Sequence, residues 1–479
     1  MKKLTILALL LYSVSAHSQP GYEIKVTFKP FKGQYIYLGH YFGKQYPIID
    51  SVRLDANSQA VFRGTKNLQG GVYLVGYPNK SGFFEVLIDK QQHFSVIADT
   101  ASLRRGGLTF QGSPDNNLFN SYQQYMNAKG SEINTARQQL AFAKTAGDSA
   151  RLNAIMIKND SLIRTYRADL IRNNPGNILT ALLLAMREPE VPVKLQRPKN
   201  REDSMQAYRY YKDHYWDGVD FWDGRLAYTT FFEDKLDKYY NEVIAPHPDS
   251  VIREIDNMMS YATINEEMSR FLLLKFLNRY LNQKYMWEDA VFVHLFEKYF
   301  AQKNYSWLTD AGRKTITDRA YSLMANIMGT PASDITLPDS TGRIRALYAD
   351  TSSAYTVVCF WDPTCGHCKE VLPKLDSLYR AKWKSIGLSL YSIAKETDGT
   401  RNDWLKFIRE KNLAGWTHVY YSKADEKIRV DAGVPGYSQL YDVQTFPTLY
   451  LLDRNKRIVA KKLSWEQTDE VLQLKLKGQ

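Results

Sequence analysis

The chain has 479 residues, a formal net charge of +12 from 63 Lys or Arg against 51 Asp or Glu, and only three cysteines. This length predicts two to four domains, the 44% hydrophobic content argues against long disordered segments, and three cysteines exclude a scaffold held together by disulfides. The basic residues are dispersed among acidic ones, which argues against nucleic acid binding and favours acidic protein partners for a basic surface.

The first residues predict a secretory signal peptide. Two lysines precede an apolar run from Leu4 to Val14, and small residues follow up to Ala16. We therefore expect residues 1–16 to be a signal peptide that is cleaved after Ala16. The apolar run is too short to span a bilayer, no cysteine follows that could carry a lipid anchor, and no later stretch reaches 18 apolar residues. The prediction is a protein of the periplasm or cell envelope with no integral membrane segment after cleavage.

Short alternating segments dominate residues 20–113. Ile24, Val26 and Phe28 alternate with polar residues. Further strand-like runs, divided by Gly, Pro, Asn and Asp, occur at Tyr35–Gly39, Ile48–Leu54, Val72–Tyr77, Phe83–Ile88 and Phe94–Ala98. Seven or eight strands without helical intervals are typical of an all-β sandwich or a small barrel, and we predict a β-sandwich domain.

From residue 114 to residue 328 the pattern is helical, which predicts an all-α middle domain. The predicted helices are Asn117–Lys129, Glu132–Ala146, Ala150–Arg172, Ile178–Arg187, Ser204–Tyr215, Thr230–Ile244, Ser250–Tyr261, Glu266–Gln283, Glu288–Phe300 and Ala311–Ile327. No strict repeat period is present. His214 with Asp217 and His294 with Glu297 have a spacing that could hold a metal, but no third ligand accompanies either pair, so we predict no metal site.

Residues 331–479 alternate between strands and helices, which predicts an α/β domain. A hairpin with its turn at Asp339–Gly342 opens this segment. The predicted elements that follow are strand Val357–Phe360, a helix after Cys365, strand Leu388–Ala394, helix Asn402–Lys411, a loop through Gly433–Tyr437, strand Thr448–Leu452 and a helix from Glu466.

The chemistry of this domain centres on Cys365-Gly366-His367-Cys368, between an apolar strand and a helix. If Cys365 begins the helix, Cys368 lies one turn further on the same face, and the two thiols can close and reopen a disulfide. The unpaired N–H groups and the dipole of the helix start favour a thiolate at Cys365, which is the attacking species in disulfide exchange. Cys368 is expected to be less exposed and to act second.

Zinc binding is the alternative use of two cysteines at this spacing. A zinc site needs two more ligands, usually a second pair of Cys or His residues. The third cysteine, Cys359, lies within the apolar strand, where alternation turns it inward.

Several motifs together resemble the thioredoxin superfamily, and more narrowly the secreted TlpA/ResA-like thiol-disulfide oxidoreductases. These motifs are Phe360-Trp361, Cys365-Gly366-His367-Cys368-Lys369, Pro373 inside the following helix, and the segment Thr445–Asp453. The resemblance implies a thioredoxin-like fold over about residues 331–479. It also implies that Pro447 follows a cis peptide bond and faces the dithiol.

The resemblance assigns roles to seven residues. Cys365 attacks or is attacked, Cys368 resolves, His367 tunes the couple, and Pro447 shapes a substrate groove that Trp361, Gly366 and Phe446 complete. A histidine at the position of His367 matches the disulfide isomerases, which implies a couple more oxidising than that of thioredoxin.

Two positions depart from the family pattern. Cys359 stands where thioredoxin has a buried acid, and Val371 stands where ResA-like proteins often have a glutamate, with Glu370 one residue away. The proton acceptor for Cys368 therefore stays open.

The upstream domains also resemble known arrangements. The fragments Ile49–Ser51, Val61–Gly64 and Phe110–Ser113 are similar to a β-domain of unknown function that precedes TlpA-like modules in Bacteroidota. Tyr208–Gly218 and Val291–Leu295 resemble an uncharacterised helical domain that occurs before such modules.

The predicted function is a secreted thiol-disulfide oxidoreductase acting on protein thiols and disulfides, with a slight lean to reduction. It requires no cofactor and no metal, and reduction in an oxidising compartment requires an upstream membrane or periplasmic redox partner. The alternative is a partner-binding protein of the cell envelope in which the redox module is an accessory.

Overall fold

A computed structural model describes residues 21–103, 107–397 and 399–478, so the predicted signal peptide lies outside the described residues. The chain forms two compact units. One holds the described residues up to Ala245 together with Asp256–Leu272, and the other holds Pro246–Ile255 together with the described residues from Leu273 onwards.

The first unit begins with two four-stranded sheets. Phe28 on one sheet meets Phe84 on the other with ring centroids 5.4 Å apart, so the inner faces pack as a sandwich, as predicted. The strand orders are β4-β1-β7-β8 and β3-β2-β5-β6. The strands are β1 (Tyr22–Lys29), β2 (Tyr35–His40), β3 (Ile48–Arg53), β4 (Gln59–Gly64), β5 (Gly71–Gly76), β6 (Phe83–Ile88), β7 (His93–Asp99) and β8 (Leu108–Gln111), and the short helix α1 (Thr100–Leu103) precedes β8.

Helices follow, as predicted for the middle of the chain. Their bounds are α2 (Pro114–Leu140), α3 (Ala146–Asn173), α4 (Ile178–Ala185), α5 (Arg201–Asp213), α6 (Phe231–Lys238), α7 (Pro248–Ala262), α8 (Glu266–Leu281), α9 (Glu288–Leu295) and α10 (Asp310–Met324). π-helical turns at Tyr239–Val243 and Phe296–Phe300 extend α6 and α9. Within the described ranges, no helix is long and apolar enough to cross a membrane.

The first two predicted helices are one helix, α2. The predicted break falls at Gly130, but a glycine in a helix interior lowers stability by about 1 kcal/mol without ending the helix. Helix α2 also packs against α3: the ring centroids of Tyr125 and Tyr166 lie 4.1 Å apart.

The C-terminal region contains a hairpin and a five-stranded sheet of order β13-β12-β11-β14-β15. The strands are β9 (Thr336–Pro338), β10 (Ile344–Ala346), β11 (Tyr355–Trp361), β12 (Leu388–Lys395), β13 (Thr417–Tyr421), β14 (Thr448–Asp453) and β15 (Ile458–Lys461). The helices are α11 (Gly366–Leu378), α12 (Arg401–Glu410), α13 (Lys423–Asp431), α14 (Tyr437–Leu440) and α15 (Trp465–Lys477).

Strand β11 lies at the centre of this sheet, parallel to β12 and antiparallel to β14. All seven of its residues are buried. Cys359 and Trp361 belong to the core on one face, and Val358 and Phe360 belong to the core on the other. Both faces of the strand are covered, which is why its sequence is mainly apolar. The cysteine loop follows directly after this buried strand, so the strand fixes the position at which the loop begins.

Four elements of this domain were not predicted from the sequence. They are the edge strands β13 and β15 and the helices α13 and α14. Strands of four or five residues give too short a run for periodicity to separate them from loops. Helix α13 does carry a local signal, because Ser422 and Asp425 form a capping box at its start.

Candidate active site

The turn before the dithiol is held by Asp362, which follows β11 directly. Its carboxylate accepts hydrogen bonds from the backbone N–H and the hydroxyl of Thr364, both at 2.7 Å. Its backbone carbonyl accepts the N–H of Cys365 at 3.1 Å. Asp362 was not among the predicted site residues, although Asp before Pro is a turn signal that could have indicated it.

Cys365 is the N-cap residue of α11, as predicted. Its Sγ accepts a hydrogen bond from the backbone N–H of Cys368 at 3.4 Å, which occupies one of the unpaired donors of the first helical turn. The residue is half-buried, so part of its surface remains open to a second molecule.

The loop before β14 closes the other side of the site. The peptide bond between Phe446 and Pro447 is cis, as the family resemblance implied. The Sγ of Cys365 lies 3.8 Å from the carbonyl oxygen of Phe446. Both loop residues are half-buried. The structure thus brings Cys365, Cys368, Phe446 and Pro447 together from segments about 80 residues apart in the chain.

The three sulfurs occupy different environments, and the cysteines are free thiols. Cys368 is fully buried, and burial raises the pKa of its thiol well above its ordinary value, although a hydrogen bond from the backbone of Asp362 opposes this. Cys359 is also fully buried, and burial raises its pKa to about 12. A buried thiol with a raised pKa is a poor nucleophile, so Cys365 is the accessible sulfur of the three.

The first turn of α11 borders the open side of Cys365. Gly366 and His367 are exposed, and apart from its chain neighbours and the backbone of α11 no atom lies within 4 Å of the position that a Cβ of Gly366 would take. A polypeptide could therefore approach the sulfur over Gly366 without meeting a side chain there.

The assignment of Trp361 to a substrate groove is wrong. The side chain has no exposed surface, and its indole N–H donates to the Ser392 hydroxyl at 2.9 Å. Trp361 is the last residue of a central strand, and its position in the alternation places it in the core beside Cys359 and Cys368.

The family pattern places a carboxylate near Cys368 at two positions, and neither position holds a carboxylate in this chain. Val371 and Cys359 are both buried in the core, and the neighbouring Glu370 is exposed. The carboxylate of Asp362 is occupied by Thr364, so its contact with Cys368 is made through the backbone.

The candidate metal pairs do not form a metal site. His214 Nδ1 and Asp217 Oδ2 lie 2.7 Å apart and bind each other at the surface. Among the residues that the structure describes, no group of three His, Cys, Asp or Glu side chains could hold a metal ion.

Three protein-family models match the chain. A domain of unknown function, DUF4369, matches residues 22–119, a second domain of unknown function, DUF5106, matches residues 154–324, and a thioredoxin-like family matches residues 353–458. A search of the curated proteins found none that matches.

Several solved bacterial structures are similar to this chain. A domain of a possible thiol-disulfide isomerase from Cytophaga hutchinsonii is 35% identical and covers 32% of this chain and 94% of its own, with a TM-score of 0.27. The thioredoxin domain of a thiol-disulfide oxidoreductase from Bacteroides vulgatus is 29% identical over 30% of this chain and 96% of its own, with a TM-score of 0.25. A thioredoxin-like protein from Bacteroides caccae is 21% identical over 60% of this chain and 98% of its own, with a TM-score of 0.44.

The family match covers the central strand β11, the helix α11 that Cys365 caps, and the loop with the cis bond before Pro447. Through this C-terminal domain, the chain belongs to the thioredoxin-like family.

Proposed function

We propose that this protein is a thiol-disulfide oxidoreductase that exchanges disulfides with protein thiols through Cys365 and Cys368. One observation carries the proposal: the Cys365 sulfur caps α11, is partly open to solvent, and lies within 4 Å of both the Cys368 amide and the Phe446 carbonyl. Its partner sulfur is buried three residues further on.

In the reducing direction, the Cys365 thiolate attacks one sulfur of a substrate disulfide. A bond forms between Cys365 and that sulfur, the substrate S–S bond breaks, and the second substrate sulfur leaves as a thiolate that takes a proton. The Cys368 thiol then loses its proton and attacks the Cys365 sulfur, which releases the first substrate sulfur. The substrate disulfide gains two electrons, and Cys365 and Cys368 become a disulfide.

The neighbouring residues have supporting roles in this proposal. The exposed Gly366 and the half-buried Phe446 and Pro447 border the open side of Cys365, where a substrate chain would lie. By the family resemblance, His367, which is exposed in the first turn of α11, makes the couple more oxidising. The exchange itself needs no metal and no organic cofactor.

The direction of exchange depends on the reduction potential of the couple. A difference of about 30 mV changes the two-electron equilibrium by about 1.4 kcal/mol, a factor of ten. The family favours reduction and His367 favours oxidation or isomerisation, and we give a slight preference to reduction. A dithiol protein upstream would then return Cys365 and Cys368 to the thiol form, outside the cytoplasm if the N-terminal segment acts as a signal peptide.

The two cysteines can be distinguished by trapping. In Cys368→Ser the mixed disulfide between Cys365 and a substrate cannot be resolved, so we expect covalent complexes on non-reducing gels. In Cys365→Ser no such complexes are expected, because Cys368 is buried. Equal trapping by both variants would contradict the assigned order.

Insulin reduction tests the function as a whole. We expect turnover by the wild-type protein with dithiothreitol and none by Cys365→Ser. A wild-type protein without turnover, indistinguishable from Cys365→Ser, would contradict the proposal and favour a partner-binding protein.

A further inference from the structure

A recess of about 350 Å³ lies in the second unit, next to the loop that carries Phe446 and Pro447. We call it the lysine recess. Its walls come from the segment between α8 and α9, from α10, from the loop before Pro447 and from the end of β15. The lining residues that matter here are Lys284, Asp289, Arg319, Gln444, Lys461 and Lys462.

Two backbone segments connect the lysine recess with the loop beside the reacting sulfur, one before Pro447 and one after it. Gln444 stands two residues before Phe446, so their Cα atoms are at most about 7.6 Å apart. The Phe446 carbonyl in turn lies 3.8 Å from the Sγ of Cys365. On the other side, the backbone N–H of Lys462 donates to the carbonyl of Leu449, two residues after Pro447, at 2.7 Å. The segment Gln444–Phe446 therefore leads from the wall of the recess to the reacting sulfur.

The lining carries more positive than negative charge. Four cations line the recess against one carboxylate, Asp289. Two further carboxylates lie behind the wall: Asp442, bound by Arg319 and Lys462, and Glu288, which accepts the backbone N–H of Lys284. Cations still outnumber carboxylates when both are counted.

Buried ion pairs hold the wall of the recess in place. Lys461 is almost fully buried and binds Asp289 and the side chain of Asn326. Arg319 binds Asp442 at 2.6 Å. Burial alone would raise the pKa of Asp442, but hydrogen bonds from Arg319 and Lys462 outweigh it and hold that pKa below its ordinary value. These pairs fix the wall before any anion binds, so the exposed cations beside it need little rearrangement of the wall to accept one.

Lys284 differs from these buried cations. It is exposed, and its hydrogen bond to Glu288 is made by its backbone N–H, which leaves its ammonium available to a second molecule. Lys462 is about one third exposed while it binds Asp442. These two side chains are the accessible positive charges at the mouth of the recess.

We propose that the lysine recess is a subsite for the carboxylate of an Asp or Glu that lies near the reacting cysteine of a protein substrate. The proposal rests on the proposed function, since it names the class of polypeptide that Cys365 attacks. Complementary charge at such a site raises the rate of encounter and selects among partners more than it adds to affinity.

The test compares three disulfide-looped peptides whose flanking residues are Glu, Gln or Lys. The full chain reduces each peptide under single-turnover conditions, and we expect the Glu peptide to react about three- to tenfold faster than the Gln peptide, with the Lys peptide slowest. The preference should decrease as salt is raised, because exposed charges are screened.

Variants of the accessible lysines connect the preference to the recess. In Lys284→Gln the ratio of Glu-peptide to Gln-peptide rates should fall towards one, and Lys462→Gln should act in the same direction. Lys427→Gln is the matched control: this lysine is exposed on α13, which follows the opposite edge strand of the sheet, and its variant should keep the wild-type ratio.

The outcomes separate the two proposals. If the protein reduces none of the peptides, the proposed function fails. If it reduces all three at equal rates, or if Lys284→Gln and Lys462→Gln both keep the wild-type ratio, the function stands and the subsite is contradicted.

Discussion

Two helix starts in this molecule have the same local geometry and different consequences. Ser113 caps α2 and Cys365 caps α11, each directly after a strand and its turn. In both, the side chain accepts a hydrogen bond from the backbone N–H three residues on, at 3.4 Å, and that third residue is Asn116 in one case and Cys368 in the other.

The surroundings of the two caps differ. Ser113 is 1% exposed and Asn116 is 0% exposed. The Asn116 amide donates to the carbonyl of Leu87 and accepts its N–H, on the free side of the edge strand β6. Cys365 is open on one side instead, towards the exposed Gly366. A capped helix start therefore becomes structural or reactive according to burial and residue type, and the cap geometry alone does not decide between the two.

The largest effect on stability is expected at the buried start of α2. Asn116→Ala leaves both backbone groups of Leu87 buried without partners, which should lower the free energy of unfolding by about 3 kcal/mol. Denaturant titration measures the change. Asn117→Ala, one residue away and exposed, is the control and should change stability by less than about 0.5 kcal/mol.

Equal stabilities for Asn116→Ala and Asn117→Ala would mean that the amide bridge to Leu87 does not hold α2 on the sheet.

The pH dependence of disulfide exchange tests the reactive helix start, which carries Cys365 and Cys368. Burial raises the pKa of Cys368, so near neutral pH this residue is a thiol and must lose its proton before it can resolve a mixed disulfide. Resolution of a Cys365 mixed disulfide with thionitrobenzoate should therefore accelerate about tenfold per pH unit between pH 6 and pH 8. Stopped-flow absorbance measures the second thionitrobenzoate released.

Cys368→Ser is the control for that measurement and should release no second equivalent. A flat profile between pH 6 and pH 8 in the wild-type protein would show that the proton leaves Cys368 by another route.

The smallest effects on stability are expected from substitutions of the two cap residues themselves. Ser113→Ala removes an N-cap acceptor and should lower the free energy of unfolding by about 1 kcal/mol without changing disulfide exchange. Cys365→Ser keeps an acceptor at the cap and should change stability by no more than about 0.5 kcal/mol while abolishing exchange. The pair is measured by denaturant titration and insulin reduction.

A Cys365→Ser variant that unfolds easily, or a Ser113→Ala variant that loses exchange activity, would break the separation between the structural and the reactive cap.

Much of the active site could be predicted from the sequence because its signals are local. Strand, loop, cysteine pair and helix follow each other within about twenty residues, so periodicity places Cys365 at the helix start and turns Cys359 inward. The assignment of Trp361 to the groove followed the family motif, although the alternation that turns Cys359 inward turns Trp361 inward as well.

The sequence by itself determined the order of the domains, the dithiol and its place at the start of α11, since apolar periodicity and the spacing of two cysteines are properties of neighbouring residues. Only the tertiary structure decided how the loop at Pro447 is supported and that a cationic recess lies beside it. Arg319 and Asp442 are 123 residues apart, and Lys461 and Asp289 are 172 apart. Such pairs leave no local pattern, because each charge is buried only once the strands and helices between them have packed.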